Sequence, residues 1–171
     1  AVNLPTGVDE VVLEAFDEAL LAETLAALEP VGCFVHLSPP ATEAPLFSER
    51  ARRRVKQLFF MAKHLKAPLN AAAAENWGAF VAVTRLDGRL GLTGAGSPVD
   101  GGAAGVVKTL RFEWPQVNCR AVDLSPALAT EDAVEYILAE LHDPNRLLVE
   151  VGWTAEGRVT LDVGEGAYVS A

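Results

Sequence analysis

Gly101-Gly102-Ala103-Ala104-Gly105-Val106-Val107-Lys108-Thr109-Leu110-Arg111-Phe112-Glu113-Trp114-Pro115 is followed at once by Val117-Asn118-Cys119-Arg120-Ala121-Val122-Asp123-Leu124. The first stretch predicts a helix from about Gly101 to Glu113. Pro115 stops it, because proline has no amide hydrogen to continue the ladder and its ring clashes with the preceding turn. Cys119 to Leu124 predicts a strand, and upstream the apolar run Phe80-Val81-Ala82-Val83-Thr84 predicts another. Strand, helix and strand in succession are the pattern of a parallel sheet whose crossovers are helices.

The same alternation extends in both directions. Leu13, Phe16, Leu20, Leu21, Leu25 and Leu28 repeat at helical spacing until Pro30-Val31-Gly32, and Cys33-Phe34-Val35-His36-Leu37 reads as a buried strand ended by Ser38-Pro39-Pro40. A loop through Pro45 precedes a helix whose apolar stripe is Val55, Leu58, Phe59, Ala62 and Leu65, and Pro68 is expected to stop it. Thr130 is expected to cap a further helix, with Glu131 and Asp132 at its positive end and Val134, Ile137, Leu138 and Leu141 on its buried face. Asp143-Pro144 ends that helix. Leu147 to Val151 and Arg158 to Leu161 then read as strands on either side of a turn at Glu156-Gly157. The expected fold class is α/β, a three-layer fold with a mostly parallel sheet flanked by helices. Residues 1–171 are read as a single domain. The opening at Ala1 without Met and the strand-like Tyr168-Val169-Ser170-Ala171 at the other end suggest a segment of a larger polypeptide.

A chain of 171 residues is long enough to bury a sizeable core. Its 23 acidic and 14 basic side chains leave a net charge of −9, which gives no electrostatic reason to expect nucleic acid or an anionic membrane as partner. Seven of the 14 basic residues fall between Arg50 and Lys66, and this run is read as a solvated helix face opposite a core stripe rather than a docking patch. Cys33 and Cys119 lie in apolar, strand-like surroundings without Cys-x-x-Cys spacing. They are expected to be reduced, buried thiols, forming neither a disulfide framework nor a metal site. No run approaches the roughly 18 apolar residues that cross a bilayer, and no basic-then-apolar leader opens the chain, so a soluble, cytoplasmic protein is expected.

Candidate chemistry is sparse. The Gly-rich loop from Asp87 to Pro98 contains Gly94-Ala95-Gly96, the nearest approach to a dinucleotide-binding Gly-x-Gly-x-x-Gly. Val99 occupies the third glycine's place, Pro98 removes a backbone donor, and about ten residues separate the motif from the preceding strand. Gly101 to Gly105 are read instead as allowing close packing of helix on sheet. His36 is read as a core or strand-end residue, His64 as exposed beside Lys63 and Lys66, and His142 as a favourable charge at a helix end. None of the three acquires a Ser, Cys or Asp partner from spacing. Trp114 beside Pro115 is read as a packing anchor. No catalytic, cofactor-binding or metal-ligating residue is expected.

Phe80 to Leu92 and Gly101 to Leu124, with their Lys-Thr-Leu, Glu-Trp-Pro and Cys-Arg-Ala-Val-Asp-Leu, resemble the structural, non-catalytic ketoreductase subdomain of type I polyketide synthases. This variant looks most like the polyunsaturated fatty acid synthases. The resemblance runs from about Leu13 to Leu161, with its specific part in those two blocks, and implies a truncated Rossmann-like fold of the short-chain dehydrogenase/reductase kind. Active members carry Tyr-x-x-x-Lys near the start of this helix, the Tyr as proton donor and the Lys holding the nicotinamide ribose and lowering the Tyr pKa. Matching Gly105, Lys108 and Glu113 to that spacing places the two roles at Gly96 and Asp100, which cannot perform them. Neither Tyr136 nor Tyr168 has Lys four residues later. Thr84 stands near the family's active-site Ser and is read as a strand-end cap ahead of the alternative, a remnant hydroxyl.

The resemblance implies that this segment holds no cofactor and supports an adjacent catalytic subdomain, which reduces carrier-bound 3-oxoacyl groups with NADPH. Neighbouring synthase domains are then its partners, with the acyl carrier protein served indirectly. Two readings stay open beside it: a degenerate ketoreductase acting as a docking or dimerisation module, and an atypical active reductase. An apolar-to-Asp change at Val107 or Leu110 is expected to cost about 3 kcal/mol or more in urea melts, through an unpaired buried charge. Ser97→Ala should leave NADPH oxidation by the intact enzyme nearly unchanged.

Overall fold

Every residue of the two central strands is buried, because both faces of the sheet are covered at that point. The computed structural model describes residues 6–13, 17–28, 30–39, 48–94, 99 and 101–162. In chain order the elements are α1 (Glu18–Ala27), β1 (Cys33–Leu37), α2 (Glu49–Glu75), β2 (Ala79–Thr84), α3 (Gly102–Glu113), β3 (Asn118–Leu124), α4 (Thr130–His142), β4 (Glu150–Thr154) and β5 (Gly157–Thr160). The strands lie side by side in the order β1-β2-β3-β4-β5; the first four are parallel and β5 runs antiparallel to β4. This is the expected α/β, Rossmann-like, three-layer architecture.

The alternation of side chains along β2 and β3 divides the core in two. Phe80, Ala82, Cys119 and Ala121 meet Leu58, Leu65 and Leu69 of α2 and Val107 and Leu110 of α3. Val81, Val83, Val122 and Leu124 meet Ala133 and Leu141 of α4 on the opposite face. Trp114 closes the first core at the end of α3, 1% exposed, with its ring edge-to-face against Phe80 at 5.7 Å. It is the packing anchor the sequence leads one to expect. Since the strands follow chain order while α4 lies across the sheet from α2 and α3, the β3–α4–β4 crossover has the opposite hand to the two before it. Such a mixture is unusual, because right-handed crossovers account for about 98% of parallel connections.

Several local expectations are corrected. Pro68 does not stop α2, which continues to Glu75. The proline withholds one amide donor, the Asn70 side-chain amide donates to the Lys66 carbonyl at 2.8 Å, and full burial of Leu69 holds the last turns on the sheet. The helix expected from Leu13 begins at Glu18, where the Asp17 carboxylate accepts from Ala19 N at 2.7 Å and Leu20 N at 3.3 Å. Within it only Leu21 is fully buried, and Leu20 is exposed, as is Leu28 just beyond. Phe16 lies outside the described residues. The run at Cys33–Leu37 is an edge strand, not a buried one, with both Cys33 and Leu37 exposed. On α2 the buried stripe is Leu58, Ala62, Leu65 and Leu69, and Phe59 faces outward.

At α4, Ala129 in extended conformation is the cap residue, and Thr130, already helical, makes no capping bond. Val134 and Leu138 are exposed; Ala133, Glu140 and Leu141 take the inward face. β4 starts at Glu150 and extends to Thr154, leaving Leu147 exposed outside it, and β5 ends at Thr160. The segment Tyr168 to Ala171 lies outside the described residues.

The two cysteines therefore differ, contrary to the expectation that both are buried. Burial pushes the Cys119 thiol up to about 12, with only a small opposing influence from Arg111. Its preference for the neutral form supports the fold fully below about pH 9 and is lost as pH rises toward 12. A thiol-specific chromogenic reagent at pH 8 is expected to modify Cys33 in the native protein and Cys119 only after unfolding.

Candidate functional site

In a parallel sheet, chemistry gathers where the connections from neighbouring strands diverge to opposite faces and open a crevice at their carboxyl ends. Here that place lies between β2, whose chain turns to α3, and β3, whose chain turns to α4. The crevice is filled by Asp123, which is 2% exposed. Its Oδ1 accepts from the Thr84 hydroxyl and from Leu86 N, each at 2.8 Å. Its Oδ2 accepts from Leu90 N at 3.0 Å and, at 3.4 Å, from Asp87 N. Thr84 thus has its hydroxyl proton directed at an internal carboxylate. The hydroxyl stands at the end of β2 and is satisfied by a side chain of the neighbouring strand, not by a free strand-end backbone group.

The loop after β2 is folded down by these bonds and by two glycines. Gly88 has φ +71°, and a Cβ there would lie 2.2 Å from the Trp153 carbonyl oxygen. A Cβ on Gly152 of β4 would lie 2.2 Å from the Gly88 carbonyl oxygen. The two backbones touch with no room for a side chain between them. Leu90, the non-glycine residue at φ 62°, is held in that strained region by its bond to Asp123. Farther along, Asp87 accepts from Arg89 N, Gly91 N and both Thr93 N and its hydroxyl. Partial burial raises the Asp87 pKa, but the Thr93 hydroxyl and these amides outweigh it and hold the carboxyl well below the usual range. Of the candidate glycine motif, Gly94 is described at φ +80°, while Ala95 and Gly96 lie outside the described residues. Ser97, Pro98 and Asp100 lie outside them as well.

The histidines occupy three separate elements. His36 on β1 is half-buried; desolvation, then the Arg54 charge, lowers its pKa and favours the neutral ring. His64 is not exposed as expected, its side chain being 23% accessible, and its Nε2 lies 3.1 Å from Glu18 Oε1. The same oxygen accepts from Lys63 Nζ at 2.6 Å, and that bond chiefly lowers the Glu18 pKa. His142 stacks on Trp77 with ring centroids 6.0 Å apart. Glu131 and Asp132 stand in the first turn of α4. Among the described residues, no group of three or more His, Cys, Asp or Glu could hold a metal ion, and no helix is long and apolar enough to cross a membrane.

Sequence reasoning missed a buried ionic network under α4. Arg120 of β3 is fully buried; its Nη1 reaches Glu140 Oε2 at 2.6 Å and Asp143 Oδ2 at 3.1 Å, and its Nη2 donates to the Asn145 carbonyl at 2.7 Å. Arg158 of β5 joins Glu140 Oε1 through Nε at 2.7 Å and also pairs with Asp143. Trp153 Nε1 donates to Glu140 Oε1 at 2.9 Å, and its ring stacks on Tyr136 at 4.1 Å. Burial raises the Asp143 pKa, but the Asn145 amide and the two guanidiniums overcome it and hold the carboxyl low. The signal was an arginine inside an apolar strand and a Glu on the apolar side of a helix.

A second feature lies on the other side of the molecule. An open apolar groove of about 640 Å³ runs between α2 and α3, over Phe59, Ala62, Val106, Leu110 and Trp114.

No family model matches the chain. It is 36% identical over 100 residues to a polyunsaturated fatty acid synthase polypeptide of Thraustochytrium sp. (strain ATCC 26185 / S-3), a match covering 54% of this chain and 4% of that protein. The chain therefore corresponds to a small part of that relative's length. A solved structure described as an NAD(P)-dependent gluconate 5-dehydrogenase from Beutenbergia cavernae overlaps 72% of this chain and 55% of its own, with TM-score 0.43 and 22% identity.

Asp123→Ala is expected to destabilise the domain by about 2–4 kcal/mol in urea melts, since it strands the Thr84 hydroxyl and three loop amides. Amide exchange at Leu86 and Leu90 should accelerate selectively. The chain is thus similar over 100 residues to a segment of a fatty acid synthase polypeptide, and its own scaffold is α/β.

Proposed function

We propose that this segment is a non-catalytic structural subdomain of a ketoreductase region in a multidomain fatty acid or polyketide synthase. It supports NADPH-dependent reduction of carrier-bound 3-oxoacyl groups by an adjacent catalytic subdomain. The observation that carries the reading is the Asp123 anchor: the crevice that could accept a substrate carbonyl is filled by a carboxylate already bonded to Thr84 and the following loop. A hydroxyl donating to a carboxylate is not free to polarise a carbonyl, and an anion at that place opposes the negative charge that develops on carbonyl oxygen during hydride transfer.

The similarity to a fatty acid synthase supports the setting, and the apolar groove between α2 and α3 supports a packing role. The contribution is mechanical. A preformed sheet and helix layer buries apolar surface of the catalytic neighbour and fixes its geometry. The location in this reading is cytoplasmic.

Calorimetric titration of the 171-residue chain with NADPH should give no saturable heat, and the chain alone should not oxidise NADPH with a 3-oxoacyl thioester. Joined to the polypeptide that follows it in its parent, it should support turnover. Saturable coenzyme binding or reduction by the isolated chain would overturn the reading in favour of an active reductase.

A further inference from the structure

The scaffold reading leaves open what the scaffold holds, and the inference below rests on that reading. α2 presents Arg52, Lys56, Phe59, Lys63 and Lys66 to two adjoining hollows of about 640 and 680 Å³, which share Phe59, Gly102 and Val106. The residues advance in steps of four, three, four and three, which keeps them on one helix face. α3 faces them with Gly102, Val106, Thr109 and Glu113, in steps of four, three and four. Two adjacent stripes with an average period of 3.5 form a seat for the ridge of a further helix. At Gly105 a Cβ would meet nothing within 4 Å, so the glycine leaves the α3 wall low.

The charge of this seat selects its occupant. Four cations line it against the single carboxylate of Glu113, in a chain whose net charge is −9. Lys63 is joined to Glu18 at 2.6 Å, Arg52 lies 3.9 Å from Glu49, and Lys56 sits 5.6 Å from the Phe60 ring centre. Among the described residues Lys66 has no ion-pair partner. Exposed pairs of this kind are worth little, and they leave the stripe cationic. A second copy docking groove to groove would bring the same four cations against these. Phe59, 56% exposed, marks the centre of a floor that water covers poorly. The stretch from Arg52 to Lys66 spans about 21 Å, or roughly four helical turns.

We infer that the α2–α3 groove receives an amphipathic helix of about four turns from another polypeptide segment, with its acidic side along α2 and its apolar ridge over Phe59, Val106 and Leu110. The cationic run of α2 is then a recognition surface and not only a solvated face.

Two labelled synthetic 18-residue helical peptides with the same leucine ridge, one flanked by Glu and one by Lys, test this by fluorescence anisotropy against the 171-residue chain. The Glu peptide should bind saturably, at least about tenfold more tightly than the Lys peptide, and weaken with salt. The double variant Lys56→Glu/Lys66→Glu, at exposed positions and checked for native circular dichroism, should reverse the preference. Absent Glu-peptide binding, equal binding of both peptides, or indifference to the charge reversal would overturn the inference. So would a dimer in sedimentation that Phe59→Ser abolishes, because the groove would then hold a second copy. None of these outcomes bears on coenzyme binding, so failure of this inference is distinguishable from failure of the scaffold reading, which NADPH titration reads.

Discussion

The placement of α4 depends on an ion pair that water never reaches. Arg120 and Glu140 are respectively 0% and 1% exposed in their side chains, and removing one partner of such a pair typically costs about 3–5 kcal/mol because the other is left charged and unpaired. The pair ties α4 to β3 on the face opposite α2 and α3, against the usual preference for crossovers of one hand. Arg158 and Asp143 complete a group of two cations and two anions, which anchors the antiparallel β5 to the same site. Replacing the network by apolar side chains could match its stability. What such a core would lose is direction, since Arg120, with Arg158 and Trp153 on the same Glu140, fixes the face and register of α4.

The central strands and the helices between them were legible because burial on both faces leaves continuous apolar runs and because Pro115 ends α3 at its first opportunity. The errors share a cause. Sequence periodicity reports where apolar residues lie but not which neighbours exist to cover them. β1 has the composition of an inner strand and is an edge; Phe59, Val134 and Leu138 have the spacing of core residues and face outward. Pro68 misleads for a related reason: local rules assign it a breaking role, while packing of Leu69 beyond it holds the helix together.

The filled crevice was partly legible. Thr84 could be read as a cap, but nothing in the spacing pairs it with Asp123, which lies 39 residues away and meets it only because β2 and β3 are parallel and in register. The pairing of Thr84 with Asp123 at the ends of the two strands makes the carboxylate an internal acceptor. A residue type that often serves catalysis becomes the clasp of a loop. The α2–α3 groove, by contrast, was written in the sequence as heptad steps, but its meaning emerges only when both helices are seen to share one wall.

The contact of Gly88 with Gly152 carries an evolutionary consequence. A Cβ at either position strikes main-chain oxygen of the opposite segment at 2.2 Å, closer than any side chain, so trimming a neighbouring side chain gives no relief. Ordinary covariation, in which a larger residue on one side is accommodated by a smaller one on the other, therefore has nothing to work with. The two positions are locked independently, and drift around them must leave both glycines in place or move the whole loop.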